Sequence, residues 1–288
     1  MYQLAVVLAV VAALLIAVGA ALQSRTAVGV RSERISRIRF LLILIRQPRW
    51  LTGAVASVSG VAVHVVALSI GPVSAIQPVG TVGLIFAVGA RSALDRTRPS
   101  TRALIGSGIV IVGLAAFLVV LPHGEGSTHV PARGAVGMTV IALGIAGVAL
   151  ALPRRRVSLD VRAAAIAAGA GASFGVGAAL IGAIGRQAAA SLDAVLGWPT
   201  LLVIALLLVG GVAQQSAYRL ARFAEVYAVV LVVDPLSAAF TGVLVFGDQI
   251  PTAPLNLAWV ALAAGLTAAG VVVLSHVHPA HSREQSAT

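Results

Sequence analysis

Apolar residues in this chain come in runs of about 20, the length of helix that crosses a hydrocarbon core of about 30 Å, and most of its arginines fall between the runs. In lipid, every backbone amide and carbonyl must find its partner inside the chain, and a helix does this within each segment. The runs are roughly Leu4–Leu22, Leu51–Ile70, Val73–Ala90, Ala103–Leu121, Ala135–Leu152, Val161–Ile184, Trp198–Tyr218, Ala224–Phe246 and Leu255–Ser275. They predict an all-α integral membrane fold of about nine transmembrane helices, with residues 1–288 forming one membrane domain. Only 10% of the 288 residues are charged, against about 25% in a soluble domain. That is too few to cover a water-facing surface. The shorter run Phe40–Ile45, between Arg39 and Arg46, cannot span. It reads as an interfacial helix within a basic segment, residues 23–50.

The arginines set the expected orientation. Eighteen of the 20 basic residues fall on one side of these spans, from the cluster Arg25 to Arg49 through Arg91–Arg102, Arg154–Arg162, Arg219 and Arg222 to Arg283. Only Arg133 and Arg186 fall on the other. Because positive charge stays cytoplasmic, the N-terminus is expected outside and the C-terminus cytoplasmic, which needs an odd number of spans. The first span has its arginines after it, so it reads as an uncleaved N-out helix rather than a signal peptide.

Several functions are excluded. There are no cysteines, hence no disulfide, thiolate metal site or cysteine nucleophile. Every basic residue is arginine, and with so much Ala, Val and Gly the chain looks like the product of a GC-rich bacterial genome. A bacterial inner (cytoplasmic) membrane is the expected location. The net charge of +11 reflects topology, with anionic headgroups adding to it, and no nucleic-acid partner is implied. No phosphate loop, catalytic triad or metal cage is present. We expect no enzyme, cofactor or metal.

The chain also repeats itself at an offset of about 151 residues. Gly60-Val61-Ala62 lines up with Gly211-Val212-Ala213. At an offset of 152, Pro99 lines up with Pro251 and Gly113-Leu114 with Gly265-Leu266. The predicted halves are residues 1–122, with four spans and the basic segment, and residues 131–276, with five. The tail, 277–288, is expected to be a disordered cytoplasmic segment. The second span runs outward and its partner, the seventh, runs inward, so the repeats are inverted. Inverted repeats are an architecture of alternating-access transporters, with the substrate site near the midplane.

Two motifs carry a resemblance. Gly71-Pro72-Val73-Ser74-Ala75-Ile76-Gln77-Pro78-Val79-Gly80 resembles the GPxSxxQPxG segment of drug/metabolite transporter (EamA-like) proteins. Val233-Asp234-Pro235-Leu236 followed by Gly242-Val243-Leu244-Val245-Phe246-Gly247-Asp248 resembles their VDPLxxxxxGVLxFGE segment, with Asp248 in place of Glu. Trp50 through Ile70 and Gln214-Gln215-Ser216-Ala217-Tyr218 fit the same pattern, and the chain is most similar to the bacterial branch near the NIPA magnesium-transporter-like proteins. The family usually has five spans per half, and here the basic segment stands where a first-half span would be. The resemblance implies transport of a small solute. Magnesium follows only from the NIPA likeness, and one central carboxylate suits poorly an ion that prefers several oxygen ligands.

Asp234 is the sharpest candidate. It lies mid-span, where a carboxylate is expensive and marks either function or a structural partner. Pro235 removes an amide, frees the carbonyl of Leu231 and should kink the helix. Asp234 and Pro235 could together bind a coupling ion or cationic substrate, or Asp234 could be a structural acceptor. Gln77 and Pro78 make an uncharged version of the same break in the third span, where Gln77 orients a ligand or bonds between helices. His64 and Gln215 align in the repeat and could line a pathway on opposite sides of the midplane, with Gln214 and Tyr218 extending the stripe. Packing is the alternative for each. Gly171 and Gly175 form a GxxxG spacing in the sixth span that suits close helix contact or bending. Two readings remain: a secondary transporter of a metabolite, organic cation or cation, or a non-transporting membrane subunit or lipid-carrier protein of an envelope assembly. The expected partners are a small-molecule or ion substrate and the lipid bilayer, with a homodimer left open.

Overall fold

The computed structural model describes residues 2–30, 36–71, 73–120, 130–153, 157–188, 192–248 and 253–275. It is helical throughout, with no strand among the described residues. The order is α1 (Tyr2–Gly29), α2 (Arg37–Leu44), α3 (Pro48–Ile70), α4 (Val73–Thr81), α5 (Gly83–Asp95), α6 (Thr101–Val120), α7 (Ala132–Ala151), α8 (Leu159–Ala188), a 3-10 turn at Leu192–Leu196, α9 (Trp198–Tyr218), α10 (Phe223–Phe246) and α11 (Pro254–Ser275). Among the described residues, eight helices are long and apolar enough to cross a membrane: α1, α3 and α6 to α11. Their outer faces carry large apolar side chains such as Val58, Ile141, Leu208 and Leu244, the surface expected of a multi-pass membrane protein. The tail 277–288 lies outside the described residues.

One predicted span differs. Val73–Ala90 is not one helix but two, α4 and α5, meeting at Val82. The reason is local. The amide of Val82 turns back to the carbonyl of Val79 at 3.1 Å, and that of Ile85 to Val82 at 3.0 Å, so both bonds close tighter rings than an α-helix does. The carbonyl of Pro78, left without its amide from Val82, accepts instead from the Thr81 hydroxyl at 2.7 Å. In the other half α10 runs through Pro235 as one helix.

Glycines set which helices touch. A Cβ at Gly60 of α3 would come within 2.9 Å of the Ala12 carbonyl of α1, and one at Gly113 of α6 within 2.7 Å of the Thr267 amide of α11. Helix α1 packs along α3 and α5, α8 along α9 and α10, and α6 against α11. The largest buried cluster includes Leu84, Ile166, Tyr218, Phe223 and Val226. Short α2 joins it through Phe40 and Leu44, both buried, while Ile38 is 72% exposed. The Arg219 guanidinium stands 4.3 Å over the Phe40 ring, and Arg37 donates to the carbonyl of Leu150.

The arginine contacts gather at one end of the bundle. Arg25 donates to the Leu94 carbonyl and faces Asp95 at 3.5 Å. Arg91 reaches Asp95 at 2.6 Å and Ser24 at 3.0 Å. Arg162 donates to the Leu152 carbonyl at 3.0 Å. The last turns of α1 and α5 are therefore neighbours, as are the end of α7 and the first turn of α8.

Candidate functional site

Asp234 is the twelfth of the 24 residues of α10. It is half-buried, and its carboxylate makes no hydrogen bond or ion pair with a described residue. Apolar residues dominate this stretch of α10, and a charge among them is costly without a counter-charge or a proton. The backbone around Asp234 is held from the other side. A Cβ at Gly171 would come within 3.0 Å of the Val230 carbonyl and 3.2 Å of the Asp234 amide. One at Gly175 would overlap the Asp234 carbonyl and reach the Ala238 amide at 2.9 Å. The GxxxG spacing of α8 is thus a close-packing stripe laid along α10 from Val230 to Ala238. Ser173, between the two glycines, turns its hydroxyl back to the Gly169 carbonyl of its own helix at 2.9 Å.

The other predicted residues fall into two further groups. On the α3–α4 side, His64, Gln77 and Pro78 are half-buried. The His64 ring would stand 3.8 Å from a Cβ at Gly80, one helical turn from Gln77. Neither His64 nor Gln77 hydrogen-bonds to a described residue.

At the arginine-rich end, Gln215 is 3% exposed and each end of its amide has a partner. Its oxygen accepts from the Trp50 indole at 3.2 Å, and its nitrogen donates to Gln23 at 2.6 Å. Gln23 in turn donates to the Ser57 hydroxyl at 3.3 Å. The chain Trp50–Gln215–Gln23–Ser57 ties α9 to α1 and α3. Gln214, its neighbour, is half-buried and takes no part.

Tyr218 is fully buried and its hydroxyl has no partner among the described residues. Its ring lies 5.6 Å from Phe223, and Phe223 lies 5.5 Å from Tyr227. No hydrogen bond joins Asp234 to the α3–α4 group or to Gln215 and Tyr218.

Three contributors escaped the sequence. Gln23 reads as an ordinary helix-end residue, and its pairing with Gln215 is 192 positions away. Tyr227 sits seven residues before Asp234, two turns along the same face, with its hydroxyl 3.4 Å from a Cβ at Gly83. The end of the second motif has a structural part. Gly247 takes φ +74°, a backbone that favours glycine, and ends α10. The Asp248 amide then returns to the Gly242 carbonyl at 3.1 Å, and its carboxylate fills the space where a side chain at Gly242 would lie.

No group of three or more His, Asp or Glu side chains able to hold a metal ion occurs among the described residues. No protein-family model matches the sequence, and neither does any curated protein or solved structure.

Proposed function

We propose that this chain is a secondary transporter, moving a small metabolite, organic cation or cation across the bacterial inner membrane by alternating access. The observation that carries the reading is the half-buried carboxylate of Asp234, mid-helix in α10 with no described partner. Such a group has work for a proton or a cation and none that packing accounts for.

The packing supports an inverted-repeat reading. Helix α1 packs against α3 and α5 as α8 packs against α9 and α10, and α6 and α11 pair with each other. At the repeat offset of 152, Asp234 lines up with Val82, the break between α4 and α5. Proline-interrupted segments at corresponding positions of the two halves, here Pro78 and Pro235, are the pattern that points to a midplane site. In this reading α4 and α5 together make the ninth crossing. Helix α7 is then the member without a counterpart, rather than a span replaced by residues 23–50. The N-terminus is outside, the arginine-rich end is cytoplasmic, and the two motifs ally the chain with the drug/metabolite transporter superfamily.

The test is flux in proteoliposomes. Wild type and Asp234→Asn are compared for solute-driven proton or membrane-potential movement across a panel of cations and small metabolites. Loss of flux in a variant with an unchanged melting temperature is the expected result. A well-folded wild type that moves nothing in the panel would sink the reading in favour of a non-transporting subunit.

A further inference from the structure

At the arginine-rich end the bundle holds an open cleft of about 670 Å³, lined by parts of α1, α5, α8, α9, α10 and α11 and by the connection from α9 to α10. Small-molecule sites commonly fall between about 300 and 1,000 Å³. Its charged walls are Arg91, Arg219, Arg222, Asp160 and Glu225. Not all of these charges are free to act on what enters. Arg91 is spent on Asp95 at 2.6 Å and on Ser24. Arg219 lies over the Phe40 ring.

Glu225 is different. It is 7% exposed, lines the cleft, and makes no hydrogen bond or ion pair with a described residue. The charges of Asp160 and Arg222 both act on it, the first repelling and the second attracting. Asp160 and Arg222 are themselves exposed. Arg222 is the N-cap of α10 and gives no side-chain cap, so the first-turn amides of that helix stay open to an acceptor. The cleft therefore presents two carboxylates beside one arginine and the positive end of a helix. A simple anion meets the carboxylates, and a simple cation meets Arg222. A ligand carrying both charges satisfies both.

We propose that this cleft binds a small zwitterion, its ammonium between Glu225 and Asp160 and its anionic end at Arg222 and the first turn of α10. The site is separate from Asp234, which is nine residues further along α10, about 13 Å at 1.5 Å per residue. Tyr218 and Phe223 belong to its wall and, with Tyr227, form the aromatic stack on that side. The inference rests on the transporter reading only for where the ligand goes next; binding itself does not need it.

The test uses the full chain in phosphatidylglycerol nanodiscs and calorimetric titration with glycine, β-alanine, 4-aminobutanoate and O-phosphoethanolamine, against n-propylamine and propanoate. At least one two-ended probe is expected to bind about tenfold tighter or more than either single-ended control. Glu225→Gln should weaken it about tenfold. Arg222→Gln, an exposed change that leaves packing alone, should weaken it about fivefold. The proposal is overturned if no two-ended probe binds, if a single-ended control binds equally well, or if a folded Glu225→Gln or Arg222→Gln protein binds as the wild type does. Repeating the titration with phosphatidylethanolamine in the disc separates two sources of the same chemistry. Competition assigns the site to a lipid headgroup, and undiminished binding assigns it to a soluble solute. Binding without flux sinks the transporter reading alone, and flux without binding sinks this one alone.

Discussion

Gln215 and Asp234 are both polar residues in apolar helices, and the chain treats them in opposite ways. Gln215 is buried, and each end of its amide has a partner: Trp50 on one side and Gln23 on the other. Asp234 is half-buried and has none among the described residues. The first arrangement spends polarity on holding α9 to α1 and α3. The second leaves a charge-bearing group in reserve while packing its backbone tightly against Gly171 and Gly175. On the proposed reading, the contrast separates a polar group that fixes the structure from one kept for transport.

That contrast can be broken experimentally. The largest expected effect is on flux: Asp234→Asn should lower coupled transport by about 100-fold or more while the melting temperature barely moves, since no bond is lost. Gly175→Leu should act on folding instead. Its side chain would enter the backbone of Asp234 and Ala238, and overpacking of this kind costs about 3 kcal/mol or more when backbone must move. A reversible unfolding titration in mild detergent would read it. Gln215→Leu should cost about 1 to 2 kcal/mol, because it strands the Trp50 indole and the Gln23 amide, yet leave flux per folded molecule unchanged. Adding Gln23→Leu should recover part of that loss. If Gln215→Leu instead abolishes flux at full stability, Gln215 lines the pathway and the contrast fails. Thr81→Val should be smallest, about 0.5 to 1 kcal/mol, through the Pro78 carbonyl it leaves unpaired. Its value lies in whether flux falls as well, which would tie the break at Val82 to transport.

Parts of the molecule were readable because the cause was local. The span Trp198–Tyr218 has the same two ends in sequence and structure: Pro199 is at home in a first turn, and the apolar run stops at Arg219. Helix α1, expected to end near Leu22, continues to Gly29. Its last turns are held by partners far along the chain, Ser57 for Gln23 and Leu94 and Asp95 for Arg25. The break at Val82 was half legible. Pro78 announces a missing amide, but only the Thr81 hydroxyl bond and the tight turns at Val82 and Ile85 decide where the helix yields.

What the sequence determined by itself is the class of solvent and the number of long helices to within one, because hydrophobic length and arginine placement act residue by residue against the bilayer. It also singled out Asp234 as a candidate, since a carboxylate among valines is costly whatever the fold. Only the tertiary structure decided that Gln215 is tied into a network with Gln23, that Gly171 and Gly175 lie against the backbone of α10, and that Glu225, Asp160 and Arg222 share one cleft. Each of those depends on which helix faces which, and partners up to 192 positions apart are chosen by packing in three dimensions rather than by any local pattern.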